Sequence, residues 1–413
     1  MILLACLLLF LSADITAQAD IIPVAKHTTK QNRANEYQSL LNSIATGMDL
    51  PLSDATEDFW LEAFDAMELL SFRSPAADVK IRSVFDSLLY RSDGFQRSFL
   101  ELIYANYPKD FVPQVVTFVN KTSNPKLFAM CSEYLLVNNK QADHRDILLQ
   151  RMQDKIFNEQ NAEPFFTVLQ NKLSTEKPVR PPVADLLQND FLPDETVLFS
   201  FQRKNRNYPG LAMVRGKDGL FIKDEDGNYF AVPQLARSMS NMPGYITNGN
   251  TPQGIFKTTG FAISKGSFIG PTTNLQMVLP YEQSADVPDS VTRVLGDNYS
   301  SLLPASWKNY FPFFEAYYAG RAGRSEIIAH GTTMNPVYYK KQIYYPISPT
   351  QGCLCTKEIW SAIDGRRTAS DQQRLVNAVK KAGGPQGYCI VVEIDDQQKP
   401  VSIHDILPLL NQQ

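Results

Sequence analysis

Apolar positions recur at steps of three and four residues through the first half of the chain, in FWLEAFDAMELL, VKIRSVFDSLL, FQRSFLELIYANY, FVPQVVTFV, KLFAMCSEYLL and ILLQRMQDKI. That spacing lines one face of a helix, so residues 30–173 are expected to form an all-α domain. Proline at Ser74-Pro75, Tyr107-Pro108 and Asn124-Pro125 cuts the region into short helices, which suggests stacked helical hairpins. No strict period accompanies them.

The pattern then changes twice. Residues 174–190 open with STEKPVRPP, which has three prolines and no apolar rhythm, and read as a linker. From 191 to 413 the apolar runs are short. VLFSF, LAMVR, LFIK and NYFAV are separated by Gly216-Lys217-Asp218-Gly219 and Asp226-Gly227, which are hairpin-turn signals. LQMVLPY, SEIIAH and YCIVVEI follow as further strands, Ser370 with Gln373 opens a helix to about Lys381, and His404 lies in a terminal amphipathic helix. A segment from about Ala285 to Tyr318 interrupts the strands with clustered aromatics. These either pack the insertion onto the sheet or cover a cleft, and packing is the expected role. The fold class is therefore α+β multidomain: a helical domain followed by a mainly β domain.

Residues 1–19 carry an apolar run from Ile2 to Leu11 and end in Ala17-Gln18-Ala19, the layout of a signal peptide. An exported, periplasmic or cell-envelope protein is expected. No later apolar run approaches the length of a bilayer span. A net charge of −3 gives no basic surface of the kind nucleic acid selects. Asp224-Glu225-Asp226-Gly227 looks like part of a calcium loop, but Ile222 would stand at the first ligand position, so the segment reads as a turn.

Few residues remain to carry chemistry. Of five cysteines, Cys6 falls within the signal, and Cys131 and Cys389 sit in apolar runs as core residues. His27 and His144 have surface contexts, whereas His330 ends an apolar strand and is followed at once by Gly331 and Thr332. In Pro349-Thr350-Gln351-Gly352-Cys353-Leu354-Cys355, a glycine precedes a cysteine in a polar, turn-rich stretch. A nucleophilic thiol needs a base or an electropositive turn, and a glycine turn lets consecutive N–H groups converge on an oxyanion. Cys353, Cys355 and His330 are also a possible zinc set, although Cys-x-Cys is too short for the common knuckle. Cys353 and Cys355 are a possible redox pair, although its ring would be strained.

Taken together, residues from about Leu192 to Ile394 resemble the catalytic domain of the L,D-transpeptidases, with the YkuD-like β-sandwich fold. His330-Gly331-Thr332 and Thr350-Gln351-Gly352-Cys353 match the family's His-Gly-Thr and Ser/Thr-His-Gly-Cys motifs. Thr251-Pro252-Gln253-Gly254 and Ile269-Gly270-Pro271 match its upstream features. The resemblance implies a thiol acyltransferase acting on peptidoglycan stem peptides, without metal or cofactor. Cys353 would be the nucleophile and His330 its base, oriented by a backbone carbonyl near Gly331. The turn of Gly352, Cys353 and Leu354 would hold the oxyanion, with Thr350 and Gln351 near the substrate. Arg321 and Arg324, just before the His330 strand, are either a clamp for a substrate carboxylate or, the more frequent case, a solvated pair. Two positions depart from the pattern: Gln351 stands where the family has histidine, and Cys355 where it has Arg or Asn. Both flank the nucleophile and bear on acyl-donor and acceptor specificity. They also leave open a non-catalytic wall-binding protein, with the helical domain as a partner surface. Water as acceptor would instead make the protein an L,D-carboxypeptidase.

Overall fold

A computed structural model describes residues 22–137, 141–176, 178–283 and 287–410. The signal segment expected at 1–19 lies outside these residues. The helical region comprises α1 (Lys30–Asp49), α2 (Glu57–Leu70), α3 (Pro75–Val84), α4 (Asp93–Asn106), α5 (Val112–Val119), α6 (Pro125–Val137), α7 (Gln141–Arg151) and α8 (Glu159–Leu173). Proline acts as the sequence implies. Pro75 stands in the first turn of α3 while the Ser74 hydroxyl accepts the Ala77 N–H, satisfying one of the free donors at the helix start. Helices α1 with α2 and α5 with α6 pack as sequential pairs. Their shared core holds Trp60, Phe64, Phe95, Phe99 and Cys131, all buried.

The second half contains β1 (Thr196–Arg203), β2 (Gly210–Arg215), β3 (Val232–Leu235), β4 (Gly254–Ala262), β5 (Asn274–Val278), α9 (Asp289–Asp297), α10 (Tyr299–Leu302), α11 (Glu315–Arg321) and β6 (Ile328–His330). It continues with β7 (Leu354–Thr356), β8 (Glu358–Trp360), β9 (Arg367–Ser370), α12 (Asp371–Lys381), β10 (Gly387–Asp395) and α13 (Ile403–Leu410). The expected sandwich is corrected here. Eight strands close into one ring in the order β1-β10-β4-β5-β6-β7-β3-β2, and β8 with β9 forms a separate hairpin. Each strand of the ring sends a residue into one cluster, among them Leu198, Val214, Val232, Phe256, Met277, Ala329, Leu354 and Val391, which defines the inner face. Helix α12 adds Leu375 and Val379 to that cluster.

By alternation, Val197, Phe199, Met213 and Ile390 face outward, where they meet Leu295, Trp307 and Phe313 of the 287–318 insertion. The insertion's aromatics are thus packing residues. The segment expected as a linker is also docked. Val183, Leu186 and Leu187 are buried in the same outer cluster, and the Trp307 indole donates to the Pro182 carbonyl at 3.1 Å. LFIK forms isolated bridges only, Arg215 to Phe221 and Lys223 to Tyr229, whereas NYFAV runs from the second bridge into Val232, the first residue of β3. Between them, the Asp224 carboxylate accepts the N–H groups of Asp226 and Asn228 and closes the expected turn.

The helical region and the ring share a core. Glu133 of α6 accepts both the Lys172 ammonium at 2.7 Å and the Tyr245 hydroxyl at 2.6 Å. Tyr245 is fully buried and packs its ring against Phe165 of α8. At the other end Val24 bridges Arg366, beside the β8–β9 hairpin.

Candidate active site

Strands β6 and β7 run parallel, with Ala329 opposite Leu354 and His330 opposite Cys355. Ala329 and Leu354 point into the ring, so His330 and Cys355 share the outer face, and one step back Cys353 falls beside Ile328. The Ile328 N–H lies 3.5 Å from the Cys353 sulfur, which in turn lies 3.5 Å from the Glu326 carbonyl oxygen. By alternation the imidazole and the sulfur leave the same face from adjacent strands, two positions apart in register, and Cys353 is half-buried. Cys355, the residue directly opposite His330, is fully buried against Leu69, Tyr339 and Tyr344. Its thiol is pushed far up by burial.

The turn before Cys353 is over-determined. Gly352 has φ +115, and a Cβ there would fall 1.8 Å from the Arg324 guanidinium and 2.5 Å from the Gly249 carbonyl oxygen. The Thr350 hydroxyl accepts the Gly352 N–H at 3.0 Å and donates to the Cys353 carbonyl at 2.9 Å. The Thr251 hydroxyl donates to the Gly352 carbonyl at 2.8 Å. These bonds revise two expectations and leave a third in place. The Gly352 N–H is committed to Thr350 and is not a donor for an oxyanion. Thr350 is buried and holds the turn. Gln351 alone is exposed beside the nucleophile.

Arg324 is placed differently from a carboxylate clamp. It is 3 % exposed, and its guanidinium donates to the carbonyls of Gly244, Gly249 and Asn250. Burial lowers its pKa to about 10, with Glu315 and Cys353 pulling it back up. It pins the 244–250 loop beneath the nucleophile's turn and brings a positive charge near the sulfur.

His330 is held from one side. Its Nδ1 lies against the Gly331 carbonyl oxygen, which orients the ring and leaves Nε2 as the working nitrogen. Burial drives the imidazole down to about 4, the Gly331 carbonyl opposing. A Cβ on Gly331 would meet the Glu358 carboxyl at 2.2 Å. Burial also raises the Cys353 thiol, against the pull of the Ile328 N–H and Arg324, and Glu326 and Glu282 add to the rise. The resting pair is thus a neutral thiol and a neutral imidazole.

The motif around Gly270 closes the other side. Gly270 has φ +81, and its turn meets the His-Gly-Thr segment where the Thr333 N–H and Thr332 hydroxyl donate to the Phe268 carbonyl at 3.0 and 3.1 Å. Glu282 is a participant that sequence reasoning missed. Its buried carboxylate accepts the Leu279 and Glu326 N–H groups at 2.8 and 2.9 Å, fixing the backbone that touches the sulfur. Among the described residues no group of three His, Cys, Asp or Glu is arranged to hold a metal ion, and no helix is long and apolar enough to cross a membrane. No family model, curated protein or solved structure matches the chain.

Proposed function

We propose that the protein is a cysteine-dependent acyltransferase of the cell envelope, an L,D-transpeptidase acting on peptidoglycan stem peptides. The observation that carries this reading is the frame built around one half-buried sulfur beside the strand that ends in His330. Thr251 and Thr350 hold the Gly352–Cys353 turn, the Ile328 N–H and Glu326 carbonyl touch the sulfur, and β6 pairs with β7 directly after it. A structural cysteine needs no such frame.

In the proposed reaction the Cys353 sulfur forms a bond to the stem-peptide carbonyl while its proton passes to Nε2 of His330. Because both groups rest uncharged, proton transfer accompanies attack and no stored ion pair precedes it. The N–H of Cys353 and its neighbour Leu354 would face the oxyanion. Collapse breaks the C–N bond, the imidazolium protonates the departing D-amino acid, and a thioester remains. An amine from a second stem then forms the new C–N bond as the thioester C–S bond breaks, and its proton returns through His330 to the departing sulfur. Water in its place gives L,D-carboxypeptidation. The apolar N-terminal run supports export as the setting.

The test is incubation of the protein, with Cys353→Ala beside it, with tetrapeptide-stem muropeptides, followed by product masses. Cross-linked dimers formed only by the wild type are expected. Tripeptides would assign the carboxypeptidase, and unchanged substrate would overturn the acyl-transfer reading.

A further inference from the structure

Against the 241–253 loop lies a cleft of about 610 Å³ between α8 and the ring, lined by Asn171, Asn250, Gln253, Tyr310, Phe311 and Pro312 among others, with Cys353 not in its lining. Its size lies in the range of small-molecule sites. The informative residue is Gln253. It is 4 % exposed, and its side-chain Oε1 is buried without a hydrogen-bond partner. A buried amide oxygen left this way costs free energy unless something supplies a donor.

Four of the five charged groups of the wall are committed, and the fifth, Lys204, lies in the field of Glu393. Glu315 accepts the N–H groups of Gly244 and Gln253 at 2.9 and 3.1 Å, Arg206 pairs with Glu393 at 3.1 Å, and Lys172 pairs with Glu133 at 2.7 Å. An anion near Gln253 would face the Glu315 carboxylate, and the cations of the wall disfavour an amine. What remains is amide side chains opposite a flat apolar rim of Tyr310, Phe311 and Pro312. Amides exchange hydrogen bonds with hydroxyl and acetamido groups, and aromatic rings take the apolar face of a pyranose.

We infer that this cleft is a binding site for a neutral N-acetylated amino-sugar chain, with Gln253 Oε1 accepting a ligand O–H or N–H. The site does not depend on the thiol chemistry, although Thr251 forms part of its wall and also holds the Gly352 carbonyl.

The experiment titrates the full chain with the β-1,4-linked tetrasaccharide of N-acetylglucosamine, read by protein fluorescence and calorimetry. Saturable binding is expected, unchanged in Cys353→Ala and weakened roughly tenfold in Gln253→Leu, the worth of one hydrogen bond to a buried acceptor. Gln253→Leu should melt no lower than wild type, since it removes an unpartnered oxygen. Phe311→Ala is the second variant should Gln253→Leu not fold, and it should weaken binding comparably. No saturable binding, equal binding by folded Gln253→Leu, or preference for a lysine-containing tetrapeptide over the saccharide would each overturn the proposal. Loss of muropeptide turnover with saccharide binding intact would count against the acyl-transfer reading alone.

Discussion

The Thr251 hydroxyl donates to the carbonyl of Gly352, 101 residues away in the chain, at 2.8 Å. Thr251 is fully buried, so Thr251→Val should leave that carbonyl without its donor at nearly unchanged shape. A loss of about 1–3 kcal/mol is expected, with a loosened nucleophile turn. Denaturant melts measure the first, and the alkylation rate of Cys353, compared with wild type, measures the second.

Gly352→Ala should be far more damaging. The added carbon meets the buried Arg324 guanidinium and demands a positive φ of a residue with a side chain. Strain and displacement together should cost about 2–4 kcal/mol. Gly323→Ala, also at positive φ but with open space around its Cβ, is the control that separates the clash from the backbone term.

Thiol reactivity should single out one residue. Cys131, Cys355 and Cys389 are fully buried, and Cys353 is half-buried. Iodoacetamide should therefore label Cys353 in the folded protein and the other three only after unfolding. Burial holds the thiol protonated above its ordinary 9.0, so the rate should climb through pH 9 with no plateau near neutrality. Peptide mapping after timed labelling checks both statements.

His330 should make the fold sensitive to acid. The folded imidazole stays neutral down to about 4, whereas the unfolded chain takes the proton near 6.5. Below the higher value the unfolded state binds the extra proton. The stability held by neutral His330 is therefore complete above about 6.5 and drains away as pH falls towards 4, roughly 3 kcal/mol in all. Melts of wild type and His330→Gln across that window should converge at its acid end. In kcat/KM, the acid limb should lie well below that of an ordinary histidine base.

Glu133→Ala probes the joint between helices and ring. It removes the acceptor of both the Tyr245 hydroxyl and the Lys172 ammonium. With Tyr245 fully buried, about 2–3 kcal/mol should be lost. Double-mutant cycles with Tyr245→Phe should show strong coupling.

Much of the architecture was legible because local rules and the fold agree. Ser74-Pro75 begins α3, Ser370 caps α12 by accepting the Gln373 N–H, and YCIVVEI lies within β10. What stayed hidden was non-local. Periodicity cannot distinguish a sandwich from a closed ring, because both bury alternate residues. Residues 174–190 looked like a tether, yet Val183, Leu186 and Leu187 supply a patch too short to show a rhythm. At the site, the order of the motifs pointed to His330 and Cys353. The burial of Arg324 and the part of Glu282 depend on loops distant in sequence, and a lone charge carries no sign of where its chain neighbours fold. Cys355 looked like a flanking oddity and is instead core packing between β7 and α2.

The position of β10 has a consequence for how the molecule is made. The last strand of the ring in chain order sits between β1 and β4, pairing Thr196 with Gly387 and Phe256 with Cys389. Neither earlier strand has its partner on that side until β10 arrives. The ring therefore stays open between β1 and β4 until residues 387–395 are in place, although every bond of the nucleophile's frame lies within segments made before them.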